Sequence, residues 1–238
     1  MKKVLRIAAL ACVGMSLAAS VFAEESESSV SLSVGADVVS SYIWRGQELG
    51  GLSVQPSATV SFNKAGVDLG VWASAELWSS GASVNMREFD FILTWSPVES
   101  LSVGLTVYYF CSGDFLSAWN FSSRSSHALE ANLGYDFGPL ALSWNTVLAG
   151  VDHDCDGDRT YSTYAEISAP YKLGGVEGSV AVGASLWNDS YIQVGSTGFK
   201  VCNIALTANK EFFKVPFMGQ IVFNPHTDKV IFVVCLTL

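Results

Sequence analysis

Apolar and polar residues alternate with a period of two along most of this chain. Val30, Leu32, Val34, Ala36 and Val38 fall on one side, with Ser31, Ser33, Gly35 and Asp37 on the other. Val67, Leu69, Val71 and Ala73 oppose Asp68, Gly70, Trp72 and Ser74 in the same way, and Leu101, Val103, Leu105 and Val107 oppose Ser102, Gly104 and Thr106. Leu129, Leu133, Tyr135 and Phe137 oppose Glu130, Asn132, Gly134 and Asp136. Successive side chains of a strand point to opposite faces, so this period predicts β-strands with one apolar face each. Clusters of Gly, Pro, Asn, Asp and Ser divide the pattern into about twelve segments. Their spans are 30–45, 52–63, 66–78, 84–95, 101–111, 126–137, 140–151, 160–170, 176–187, 199–209, 216–224 and 229–238. The eleventh is the least regular, because Pro216 and Gly219 interrupt it.

The connections follow a second rule. Asn63–Gly66, Ser96–Glu99 and Gly138–Pro139 are short, while Ser112–Ser125 and Val151–Arg159 are long, and the two kinds alternate. Short turns at one end and long loops at the other are the pattern of an outer-membrane barrel. Lys210–Val215 is long for an inner turn and Asn224–Asp228 short for an outer loop.

The polar faces separate a membrane barrel from a sandwich. They carry Ser, Gly, Asp and Glu, which cannot fill the apolar space between two packed sheets. In a barrel the apolar face meets lipid and aromatics collect at the two interfaces. Tyr42, Trp44, Tyr109 and Tyr161 are expected at the outer interface, and Trp95, Tyr135 and Phe137 at the inner one. The expected fold is all-β: a closed antiparallel transmembrane β-barrel of about 12 strands.

Composition agrees. The chain has 238 residues, of which 50% are hydrophobic and only 15% charged, less charge than a soluble surface ordinarily carries. After the N-terminal segment no stretch approaches the roughly 20 continuous apolar residues of a spanning helix. Lys2, Lys3 and Arg6, the apolar run Ile7–Ala19 and the small residue Ala23 predict a cleaved signal peptide over 1–23, with the barrel occupying 24–238. Cys12 lies too early in the apolar run for a lipoprotein site. Cleavage removes three basic residues and no acidic one, leaving ten against 22, a balance of −12. Such a balance excludes a basic nucleic-acid footprint. The expected location is the bacterial outer membrane. The expected partners are its lipid and lipopolysaccharide, the barrel-assembly machinery and small solutes. The last segment, with Val230, Phe232, Val234, Leu236 and Leu238 alternating to the final residue, is similar to the C-terminal signal read by that machinery, with Leu where Phe is usual.

Two short stretches resemble a known family. Ser41-Tyr42-Ile43-Trp44-Arg45-Gly46 resembles the Tyr-Val-Phe-Arg-Gly opening of the TorF-like family of outer-membrane porins, and Gly70-Val71-Trp72-Ala73-Ser74 resembles its Gly-x-Trp-Ala-Ser strand. Most of the length after the leader is also similar to uncharacterised outer-membrane β-barrel proteins of Bacteroidetes. The resemblance implies a barrel and transport, and brings no catalytic residues.

Alternation points Asp37, Asp68, Glu76, Glu88, Asp90, Glu130, Asp136 and Glu166 into the lumen, with Arg45 and Lys200 as cations. Carboxylates lining a wet pore concentrate cations and repel anions. The expectation is passive passage of small polar, preferably cationic, solutes. One alternative is a non-conducting barrel that binds or supports through its acidic outer loops, its charges paired in a polar plug. Asp152, Asp154, Asp156 and Asp158, followed around Gly157 by a turn, match the opening of a calcium loop. Thr163 stands where the bidentate Glu belongs, and a solvated acidic loop accounts for the same residues. No other cofactor is expected. A barrel hydrolase using His127, on the lipid side by parity, or Asp152/His153 lacks a partner at recognisable spacing, so no enzyme is expected. Cys111 and Cys155 lie at outer ends where a disulfide is conceivable. Cys202, on the face of Ile204 and Leu206, and Cys235, on that of Thr237, read as small fillers.

Overall fold

A computed structural model describes residues 29–77, 85–110, 126–187, 189 and 197–238. The expected signal peptide, Cys111 and the Ser112–Ser125 loop lie outside the described residues. Among the described residues fourteen strands follow in order: β1 (Ser31–Val39), β2 (Tyr42–Trp44), β3 (Gln47–Gly50), β4 (Ser53–Phe62), β5 (Val67–Glu76), β6 (Asn85–Val98), β7 (Leu101–Phe110), β8 (His127–Asp136), β9 (Ala141–Gly150), β10 (Thr163–Leu173), β11 (Val176–Ser185), β12 (Lys200–Phe212), β13 (Val215–Asn224) and β14 (Lys229–Thr237). Twelve of them form one closed antiparallel barrel, each paired with its neighbours and β14 closing on β1. β2 and β3 are not in the wall. They form a separate two-stranded hairpin, and β4 takes the place beside β1. The expected first strand over 30–45 therefore stops at Val39, and the chain turns off the wall at Ser40.

The turns at one rim are tight. Phe213 and Lys214, with φ of 52° and 67°, make a two-residue link from β12 to β13. Gly174 and Gly175, with φ of 56° and 78°, do the same between β10 and β11. Two positive φ values match the right-handed twist of paired strands. The long inner connection expected at Lys210–Val215 is corrected: the ladder continues to Phe212 against Val215, so only two residues remain. The opposite rim carries the long connections. The eleventh expected segment, despite Pro216 and Gly219, forms β13.

The faces sort as the alternation requires. Leu69, Leu93, Leu105, Leu133, Val182, Leu206 and Phe232 point outward and are exposed. Inward positions such as Ser53, Gln55, Thr106, Ser143 and Asn145 are buried. Trp95, Tyr135 and Phe137 stand exposed at the turn rim, the rim to which the alternation assigns them. The other rim differs. Tyr42 and Trp44 are buried inside the barrel, Tyr109 is buried against His127, and only Tyr161 of the expected group is exposed. Trp187, which donates from its indole N–H to the Tyr161 carbonyl at 3.0 Å, and Trp144, 6.0 Å from it, join Tyr161 on the outside.

Cys202 is a further correction. The register with β11 shifts between Gly183 and Ala184, which face Asn203 and Val201. Cys202 is thus the extra residue of a bulge, and both it and Asn203 are buried while Ile204 remains exposed. A bulge breaks the period of two, so parity with Ile204 and Leu206 misassigns the thiol. Cys235 and Thr237 are both buried on the inner face.

Candidate functional site

The β2–β3 hairpin folds into the loop-rim half of the lumen. Trp44 pairs with Gln47, leaving Arg45 and Gly46 as a two-residue turn with φ of 51° and 81°. This is the mirror-image turn that hairpins favour, which admits glycine freely and arginine at a cost. Gly46 rests on the β12 bulge: a Cβ there would lie 1.9 Å from the Cys202 carbonyl oxygen. The Asn224 side-chain amide donates to the Gly46 carbonyl at 3.0 Å, tying the tip to β13. At the base, the Ser41 hydroxyl donates to Glu48 at 2.5 Å and to the Gly50 carbonyl at 3.1 Å. Ile43 packs on Ala181, Ala205 and Val222 of β11 to β13. Tyr42 and Trp44 join Trp72, Tyr108, Val147 and Tyr164 in a cluster on the other side. The hairpin therefore touches both sides of the barrel and fills the space between them.

Arg45 is the centre of this contact. Its two terminal nitrogens donate to the two oxygens of Glu130 at 2.7 and 2.8 Å, a forked pair on a buried carboxylate. Charge-assisted forks of this kind fix orientation as well as adding energy. Its guanidinium carbon lies 4.5 Å from the Trp44 ring and 4.8 Å from that of Tyr164. Glu130 is held from the wall as well. The Tyr108 hydroxyl and the Asn132 amide donate to its Oε1 at 2.9 and 2.7 Å. Asn132 is itself set by Thr106 and Asn145. Tyr164 is held in turn: its hydroxyl donates to Glu166, and the Asn203 amide donates to both. Its ring lies over Gly183, where a Cβ would meet the Tyr164 hydroxyl at 1.9 Å.

The other expected lumen residues are spread along the inner face. Glu88 accepts from the Tyr42 hydroxyl at 2.7 Å. Asp90 is fully buried between Trp72 and Tyr108 on the flanking strands, and among the described residues no side chain donates to it. Glu76 accepts from the Gly51 N–H at 3.0 Å, behind the hairpin. Asp37 accepts from Thr237 at 2.6 Å across the β1–β14 seam. Asp68 and Glu166 are half-buried nearer the turn rim, and Asp136 there caps the Gly138 N–H at 2.6 Å. Lys200, also half-buried, begins β12 opposite Ser185. Among the described residues, Arg45–Glu130 is the one buried ion pair. Alternation assigns both partners to the lumen but puts Arg45 at the end of a wall strand over 30–45. The signal for the true position is Arg-Gly between two short polar-flanked segments, a turn dipeptide rather than a strand interior.

The acidic loop does not bring its four aspartates to one point. Asp152 is buried and accepts from Thr160 and Ser162 hydroxyls, each at 2.5 Å, and from the Ser162 N–H at 2.9 Å. Asp154 instead accepts from the Asp156 and Asp158 N–H groups at 3.0 and 2.9 Å, while Asp156 and Asp158 are exposed. Among the described residues no group of three or more His, Cys, Asp or Glu is placed to hold a metal ion. His153 meets Arg159 at 3.3 Å. His127 is buried and stacked on Tyr109, with ring centroids 5.0 Å apart. Cys155 is a free, exposed thiol, and Cys111, its expected partner, lies outside the described residues.

Wall and hairpin together define a class: a closed 12-stranded antiparallel β-barrel with an acid-lined lumen and an inward-folded hairpin clasped by an Arg–Glu pair. Residues 23–209 match the family described as "Bacterial protein of unknown function (Gcw_chp)", and the chain belongs to that family. The matched region runs through the hairpin, Glu130 and Tyr164, and ends within β12. No curated protein matches the sequence.

Proposed function

We propose that this protein is an outer-membrane barrel, exported on its signal peptide, that passes small polar and preferably cationic solutes and rests with its lumen closed. The observation that carries this reading is the hairpin inside the lumen, held by Arg45 on Glu130. The acid-rich inner face supports cation preference, since carboxylates in a low-dielectric channel concentrate cations. The hairpin docks through side chains, by the Arg45–Glu130 pair, the Tyr42–Glu88 and Asn224–Gly46 hydrogen bonds and the packing of Tyr42, Ile43 and Trp44, and the wall ladder closes without it. The apolar outer face supports the membrane location.

Filling of the loop-rim half favours a second reading, a barrel that stays closed and acts through its acidic loops: Tyr108, Asp90, Glu130 and Asn145 are fully buried there. Planar-bilayer recordings in a salt gradient separate the two. Ser41–Gly51 is replaced by an Asn-Gly turn joining β1 to β4, beside the wild-type chain. Steady cation-selective openings without the hairpin, and rare ones with it, are expected. A folded hairpin-less barrel that does not conduct, or conducts without cation preference, overturns the passage reading.

A further inference from the structure

We infer that the lumen contains a binding site for guanidinium-bearing solutes, which the chain's own Arg45 occupies in the resting state. The inference rests on the reading of the lumen as a cation path and names the solute class that fits it. Four of the residues around the Arg45 guanidinium stay on the wall when the hairpin leaves. Glu130, Tyr108 and Asn132 belong to β7 and β8, and Tyr164 to β10. Oε1 of Glu130 keeps its Tyr108 and Asn132 donors. Among the described residues Oε2 accepts from Arg45, and undocking removes that donor. Undocking opens the carboxylate to the lumen without its forked cation, so a cation that binds there stabilises the undocked state by mass action. Opening is therefore favoured by the arrival of another cation at Glu130.

The geometry also selects among cations. Two carboxylate oxygens facing one way accept a planar fork of two N–H groups, which guanidinium supplies and ammonium does not. The Tyr164 ring, 4.8 Å from the present guanidinium carbon, provides a face on which such a plane stacks. That ring stays in place without the hairpin, because Glu166, Asn203 and the missing side chain at Gly183 position it from the wall. On the turn-rim side, half-buried Glu166, Asn132, Thr207 and Gln220 continue a polar lining away from the site. Arg45 thus acts as a tethered ligand: a free guanidino compound reaching the same carboxylate competes with it and favours the undocked hairpin.

The test uses Arg45→Gly, which suits the positive φ of the turn and leaves the site empty. The apparent thermal midpoint of the refolded barrel is read by its heat-modifiable migration, in matched millimolar guanidinium chloride, methylammonium chloride and sodium chloride. Guanidinium alone is expected to raise the midpoint, by about 3–6 °C at tenfold its dissociation constant. Adding Glu130→Gln is expected to abolish the rise. An equal response to all three salts, or a rise that survives Glu130→Gln, overturns the site. Should Arg45→Gly not fold unaided, refolding yield reads the same quantity. Recovery with guanidinium but not methylammonium supports the site, and no recovery with either overturns it. A guanidinium-selective response in a barrel that never conducts leaves the site standing and removes the passage reading. Conductance without the response does the reverse.

Discussion

Replacing Gly46 with alanine tests the hairpin contact with the smallest possible change. Two costs fall on the same atom. The first is the left-handed backbone at φ 81°, disfavoured by about 1–2 kcal/mol for a residue with a Cβ. The second is steric, since the new Cβ would lie 1.9 Å from the Cys202 carbonyl oxygen, against a floor of 3.0 Å for real contacts. That oxygen belongs to a bulge paired into β11, so the hairpin has to retreat by about 1 Å. A retreat of that size stretches the Arg45–Glu130 bonds from 2.7 and 2.8 Å beyond hydrogen-bond range. Overpacking of this kind costs about 1–3 kcal/mol. Together the two weaken docking by about 2–5 kcal/mol, roughly a 30-fold to a few-thousandfold shift toward the undocked hairpin. Trypsin reads the shift directly, because it cuts after Arg45 only once that residue leaves the lumen. The expected result is rapid cleavage after Arg45 in Gly46→Ala, an intact wall and more frequent channel openings. Gly219→Ala, whose Cβ would meet nothing within 4 Å, serves as control. If Gly46→Ala is as resistant as the control, the hairpin is not held by this contact and the reasoning fails.

Two further outcomes follow from the same contacts. Glu130→Gln takes the carboxylate from the buried Arg45 fork and should destabilise the docked state by about 3–5 kcal/mol, seen as a lower thermal midpoint and cleavage after Arg45. Leu105→Arg, on the exposed apolar face of β7, should cost about 2–4 kcal/mol in urea titrations of the barrel folded into vesicles, if that face meets lipid near the bilayer centre. A loss near zero there would remove the membrane assignment of the outer face.

The strand count, the closed barrel and the sorting of side chains between the two faces were legible in residues 30–238 alone. Each of these depends on a period of two and on turn residues, which are local properties of a chain. The lumen carboxylates were legible for the same reason: parity assigns Glu88, Asp90 and Glu130 inward without reference to any other strand. Three features escaped it, and all three involve contact between distant segments. Tyr42 to Gly50 continues an alternating pattern, yet leaves the wall because Arg45-Gly46 turns the chain and β4 supplies a complete ladder for β1. Cys202 faces inward because one extra residue in β12 resets the parity, a shift visible only against the register of β11. Glu130 finds Arg45 across 85 positions of sequence. A buried carboxylate requires a nearby cation, but which cation reaches it is decided by how the barrel closes around the hairpin.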